Sequence, residues 1–192
     1  MYFIKNIKFN GLFISFLALL LLPIQAQAHI DLLSPKPLLG GVVGGNSLKA
    51  PPFGAPDVDV AAAEATVFKS GSVIDIEVNV FIYHPGDVVV LYTTDFSGVD
   101  VEPVYEISAI DQDIAHNNIL AKVETPCPLE NCRSGKSADS VFKISVKLPD
   151  ITGDIIVVVR QIMTDKLDKQ ADGTVGLGRV YYHQAAKLHL TP

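Results

Sequence analysis

The stretch Ile74-Asp75-Ile76-Glu77-Val78-Asn79-Val80-Phe81-Ile82-Tyr83-His84-Pro85-Gly86 decides the fold. Ile74, Ile76, Val78, Val80 and Ile82 recur at every second position, with Asp75, Glu77 and Asn79 between them. Successive side chains of an extended chain point to opposite faces, so this row buries one face of a strand and wets the other. Pro85-Gly86 then ends the strand in a turn. Working outward, Phe142, Ile144, Val146 and Leu148 form a second such row, with Lys143, Ser145 and Lys147 opposite. Val180, Tyr182, Ala186, Leu188 and Leu190 form a weaker one. Val88–Tyr92 and Ile155–Val159 are continuous, valine-rich apolar runs, as in strands covered on both faces. A short strand at Ile30–Leu33 precedes a long segment punctuated by Pro35, Pro37, Gly40, Gly41, Gly44, Gly45, Pro51, Pro52, Gly54 and Pro56. That is turn and loop chemistry. No stretch carries a capped 3.6-residue period, although Val60–Ala65 has room for one helical turn. Seven or eight short strands with such punctuation predict an all-β fold, an antiparallel β-sandwich with long loops.

The amino terminus reads differently. Lys5 and Lys8 precede an apolar run, Leu12–Leu22, then Pro23 and Ala26-Gln27-Ala28. This is the pattern of a secretory signal cut after Ala28. Residues 1–28 are therefore expected to be removed, leaving 29–192 as a single domain, secreted or periplasmic. Of the 15 basic residues two lie in the signal and all 21 acidic residues lie beyond it, so the remaining net charge is −8. An acidic domain is a poor binder of nucleic acid or anionic membranes. No second apolar run reaches the ~18–20 residues that span a bilayer. The expected product is a soluble monomer. Cys127 and Cys132, in Pro126-Cys127-Pro128-Leu129-Glu130-Asn131-Cys132, predict a small disulfide loop in an oxidising compartment. Loop-closure entropy makes such a bridge worth about 2 kcal/mol. The other reading, two soft metal ligands, lacks further thiolates or histidines at zinc spacing.

Cleavage after Ala28 would free the backbone amine of His29. An N-terminal histidine can chelate a metal through that amine and its imidazole Nδ1. The amine titrates near ~8, so copper competes for it at neutral pH. His84 extends the apolar row by parity and sits where the strand ends, either as a ligand or as a half-buried ring held by a backbone carbonyl. In the strand Arg179-Val180-Tyr181-Tyr182-His183-Gln184, Tyr181 and His183 share one face and Tyr182 takes the other. Tyr182 is expected in the core, leaving Tyr181 and His183 to face a site together or to stand on a solvated face. Gln161 lies on the parity of Ile155, Val157 and Val159, and a buried amide needs partners. A ligand histidine, a metal-bound species or a loop carbonyl would each serve.

Taken in order, the His29 cleavage site, the strand–His84-Pro85-Gly86 hairpin, Gln161-Ile162-Met163 and Tyr181-Tyr182-His183 resemble the bacterial lytic polysaccharide monooxygenase-like proteins, a histidine-brace copper family. The likeness spans the whole mature chain. It implies an immunoglobulin-like β-sandwich with copper at one end. His29 would give its amine and Nδ1 and His84 a third nitrogen. Tyr181 would match an axial tyrosine, and Gln161 a polar neighbour of the metal; Arg160 has the opposite parity. Three nitrogens suit Cu(II), which tops the divalent affinity order. The activity implied is oxidation of C–H bonds next to glycosidic links, with polysaccharide as substrate.

The chain departs from that pattern in places. Cysteines usual in relatives are replaced around Pro52-Phe53-Gly54 and at Gln184-Ala185, and an acidic residue is replaced by Ala186. There is no tryptophan, so a carbohydrate surface would fall to Tyr83, Phe53 or the loop Asp165–Gly178. Asp165, Asp168 and Asp172-Gly173 hint at calcium without the spacing of an EF-hand. His116 and His189 are single histidines with no sequence partner. Three functions follow: a copper polysaccharide monooxygenase-like enzyme, a copper-binding or copper-delivery protein, and a metal-free adhesion or assembly module.

Overall fold

Two β-sheets face each other across an apolar interior, in a computed structural model that describes residues 30–39, 53–55, 58–96, 118–127, 133–166, 168–169, 175–176 and 181–192. The strands are β1 (Ile30–Ser34), β2 (Thr66–Lys69), β3 (Val73–Tyr83), β4 (Gly86–Thr93) and β5 (Ile119–Glu124). They continue with β6 (Lys136–Lys147), β7 (Gly153–Met163), β8 (Asp168–Lys169), β9 (Val175–Gly176) and β10 (Tyr181–Thr191). One sheet has the order β1-β3-β6 and the other β2-β10-β7-β4-β5; β8 and β9 form a separate two-residue pair. The eight strands of the two sheets agree with the number read from the alternating rows. The pairings are antiparallel except β2 with β10, which run parallel from Thr66–Leu188 to Lys69–Thr191.

The period-two rows explain the core. Ile74, Ile76, Val78, Ile144, Val146 and Leu148 from the smaller sheet meet Val88, Val90, Ile155, Val157, Val159, Ala186, Leu188 and Leu190 from the larger one. Each such valine, leucine or isoleucine, taken out of water, contributes about 1.5–3 kcal/mol. The continuous runs in β4 and β7 are also accounted for. Their other parity, Val89, Leu91, Ile156, Val158 and Ile162, packs beneath Phe53, Val60, Leu38 and Phe96 from the loops. The larger sheet is thus covered on both faces, as a run without alternation requires. The Leu38 N–H donates to the Ala185 carbonyl (2.7 Å), covering the β10 edge where β2 has not yet begun. Residues 60–62 form a turn whose Ala62 N–H is accepted by Asp59 Oδ1 (3.1 Å), rather than a helix.

The expected hairpin at His84-Pro85-Gly86 is corrected. β3 pairs with β1 and β6, and β4 pairs with β5 and β7, so both edges of each strand are taken. The turn instead carries the chain from one sheet to the other. Gly86 makes this possible with φ +142°; a Cβ there would collide with the Ile162 carbonyl. A register shift between Val80 and Ile82 places an extra residue on β6 (Ser140 to Ser137), so the alternation of β3 itself continues toward His84. Among the described residues no helix is long and apolar enough to cross a membrane.

Candidate metal centre

The register of the sheets gathers the sequence candidates at one end of the sandwich. β1 begins at Ile30, opposite Val80, four residues before His84. β4 begins at Gly86, opposite Met163 at the end of β7, and Val88 faces Gln161. Gln161 in turn faces Tyr182 near the start of β10. The first residue of β1, His84, the end of β7 and the start of β10 therefore share one rim. His29 itself and residues 1–28 lie outside the described residues, as do His116, Cys132, Arg179 and Val180.

His84 is 2% exposed. Its backbone neighbours are held by three segments. Gly135 N–H donates to the Tyr83 carbonyl (2.8 Å), Thr164 N–H to that of Pro85 (2.9 Å) and Thr125 N–H to that of Gly86 (2.8 Å). Its ring is held as well. Nδ1 lies 3.0 and 3.2 Å from the two carboxylate oxygens of Asp165, on the 3-10 turn Thr164–Lys166 that follows β7. Ser134 Oγ lies 3.3 Å from the same nitrogen and donates to the Asp165 carboxylate. Burial pushes the Asp165 carboxyl up. The Ser134 hydroxyl and then the His84 ring more than offset this, and the group ends below the usual carboxylate range.

This trio is not a nucleophilic triad. There the hydroxyl and the carboxylate engage opposite ring nitrogens; here both meet Nδ1. A carboxylate can only accept, so in the neutral ring Nδ1 carries the hydrogen and Nε2 the lone pair. That is the arrangement of a metal-ligating histidine, whose second nitrogen is fixed by a carboxylate. The residues present thus fit a metal bound through Nε2. Among the described residues no group of three or more His, Cys, Asp or Glu side chains converges.

The remaining candidates divide between the two faces of the larger sheet. Gln161 is fully buried on the parity of Val157, Val159 and Met163, toward the smaller sheet, and neither of its amide atoms has a hydrogen-bond partner among the described residues. Tyr182 shares that face, and burial pushes its phenol up. His183 has the opposite parity, that of Ala185, and is fully buried opposite Arg160, itself 3% exposed. The backbone of Tyr181 belongs to β10 and shares the parity of His183, but its side chain lies outside the described residues. The structure therefore brings His84, Gln161 and Tyr182 to one rim and separates His183 from Gln161 by a whole sheet. Parity forces this, because adjacent residues of a strand cannot share a face.

Several lesser expectations also meet the structure. Phe53 is buried at 1% exposure in the outer cluster, so its ring offers no carbohydrate surface. Asp165 is engaged by His84 and Ser134, while the side chain of Asp168 and residues 172–173 lie outside the described residues. His189 does have a partner, Asp154, with Nδ1 2.6 Å from Oδ1. No described cysteine is a free thiol. The His84 contacts with Asp165 and Ser134 had no signal in the sequence, since 81 and 50 positions separate the partners.

No family model matches the sequence, and no curated protein matches it. Among solved structures the chain is similar to the lytic polysaccharide monooxygenase AA15 from Thermobia domestica in the Cu(I) state. The two share 15% identity with a TM-score of 0.40, over 82% of this chain and 70% of that one.

Proposed function

We propose that residues 29–192 form one exported domain that holds a single copper ion in a histidine brace and acts as a polysaccharide monooxygenase-like enzyme. His29 would supply its α-amine and Nδ1, and His84 its Nε2. The observation that carries this reading is the buried His84 ring, held through Nδ1 by Asp165 at the rim where β1 begins. Copper, when bound, supplies one-electron chemistry toward a C–H bond beside a glycosidic link. The chain's own part is positional. The His29 amine gives up its proton to become a ligand. Val88 and Met163, buried at the same end of the larger sheet, exclude water. Burial of Tyr182 pushes its phenol up, which disfavours the phenolate. Gln161 brings donors and an acceptor into an otherwise apolar wall. An unpaired buried amide costs about 1–3 kcal/mol.

The deciding experiment uses the processed, secreted protein. Mass spectrometry should give a chain beginning at His29. Electron paramagnetic resonance with one equivalent of Cu(II) should give a single axial nitrogen-rich signal. A variant with one extra residue before His29 should lose it. Soluble oxidised oligosaccharides should then appear from a polysaccharide given a reductant and peroxide. A tight copper signal without glycan oxidation would leave a copper-binding or copper-delivery protein. Copper binding unaffected by the extra residue would overturn the brace.

A further inference from the structure

We propose that Asp165, steadied by Ser134, is the positioning residue that decides which ring nitrogen of His84 meets the metal; this rests on the copper reading above. Three features converge on one imidazole. The Asp165 carboxylate reaches Nδ1 at 3.0 Å, and Ser134 Oγ donates to that same carboxylate. The turn that carries Asp165 is tied to the residue after His84, since Thr164 donates to the Pro85 carbonyl through both its N–H (2.9 Å) and its Oγ1 (3.0 Å). The segment that carries Ser134 is tied to the residue before His84, through Gly135 N–H and the Tyr83 carbonyl. The backbone on either side of His84 is thus fixed by the same two segments whose side chains hold its ring. These main-chain bonds fix the backbone from which the carboxylate and the hydroxyl reach the ring.

The consequence is chemical. With the hydrogen held on Nδ1, Nε2 presents its lone pair before any ion arrives, so no tautomer change accompanies ligation. An amide in place of the carboxylate can donate to Nδ1 and stabilise the opposite tautomer, in which Nε2–H blocks the metal. Asp165→Asn is therefore the informative change, because it keeps the shape, removes the charge and replaces one of the two acceptor oxygens by a donor.

Two readouts test the proposal on the processed full-length domain. Nitrogen-15 shifts of His84 in copper-free protein should report Nδ1–H in the wild type and Nε2–H in Asp165→Asn. Cu(II) titration should show about 10–100-fold weaker binding in that variant, with an altered paramagnetic resonance signal. Asp165→Glu should restore the wild-type tautomer, and Ser134→Ala should give a smaller loss of affinity. These last two keep the test decisive if the asparagine variant folds poorly. An unchanged His84 tautomer and unchanged affinity in Asp165→Asn would overturn the assignment while leaving the brace standing. Failure of the wild type to take up copper would overturn the brace itself, whatever the ring nitrogens report.

Discussion

Tyr182 stands opposite Gln161 across β10 and β7, and both share the parity of the residues turned toward the smaller sheet, at the end of the larger sheet where β4 begins two residues after His84. Tyr181, one residue earlier, has the opposite parity. If the proposed brace holds copper, the tyrosine expected beside it is Tyr182 rather than Tyr181, the residue that the resemblance implied. Tyr182→Phe should shift the Cu(II) hyperfine coupling, while Tyr181→Phe should leave the spectrum unchanged. The reverse result would move the metal to the outer face of β10.

His183 and Arg160 form the next rung, beneath the loops. Both are polar side chains in a packed layer, so truncating one leaves a gap and disturbs its neighbour. His183→Ala should cost about 1–3 kcal/mol in urea unfolding. Copper affinity should stay within a factor of a few, because this rung faces away from Gln161. A large loss of copper affinity with stability intact would place His183 at the metal instead.

The rows at Ile74–Ile82 and Phe142–Leu148 were legible because burying one face of a strand imposes a period of two. The runs Val88–Tyr92 and Ile155–Val159 were legible as doubly covered because Phe53 and Val60 roof the outer face. The site was legible only in part. Pro85-Gly86 announces a turn, but whether that turn stays within a sheet depends on which distant strands occupy the edges. The parallel pairing of β2 with β10 is equally non-local. Phe53 read as an exposed ring because nothing local tells that it folds under. Asp165 reads as part of a calcium hint because its partner His84 lies 81 positions away, in the turn that follows β3.

At the far end of β10, Asp154 accepts from His189 Nδ1 (2.6 Å) and pairs with Lys187 Nζ (3.3 Å). The His189 hydrogen bond, opposed by slight burial and aided by Lys187, holds the Asp154 carboxyl below its ordinary value. A carboxyl depressed on folding contributes stability above the unfolded pKa, about 4, and loses it as pH falls through the lower folded value. Melting temperatures between pH 6 and pH 2 should therefore drop less steeply for Asp154→Asn than for the wild type, with the variant slightly less stable at neutral pH. The difference should shrink in high salt, since Asp154 and His189 are partly exposed. Parallel acid limbs for the two proteins would show that the cluster does not contribute.

Gly86 and Gly153 both hold positive φ angles, +142° and +102°, yet they predict different outcomes on substitution by alanine. At Gly153 nothing lies within 4 Å of a new Cβ, so only backbone strain opposes it, about 1–2 kcal/mol. At Gly86 the new Cβ would run into the Ile162 carbonyl, a main-chain atom of β7 that cannot rotate away. Strain and collision add there, and the cost should reach about 3 kcal/mol or more. Relief requires β4 to move off β7, which displaces the Pro85 carbonyl from Thr164 and the His84 ring from Asp165. Gly86→Ala should therefore weaken copper binding as well as stability, whereas Gly153→Ala should lower stability alone. Chemical denaturation and Cu(II) titration of the two variants separate these outcomes. Equal copper affinity in both, with Gly86→Ala clearly destabilised, would show that the inter-sheet turn does not transmit its position to the imidazole.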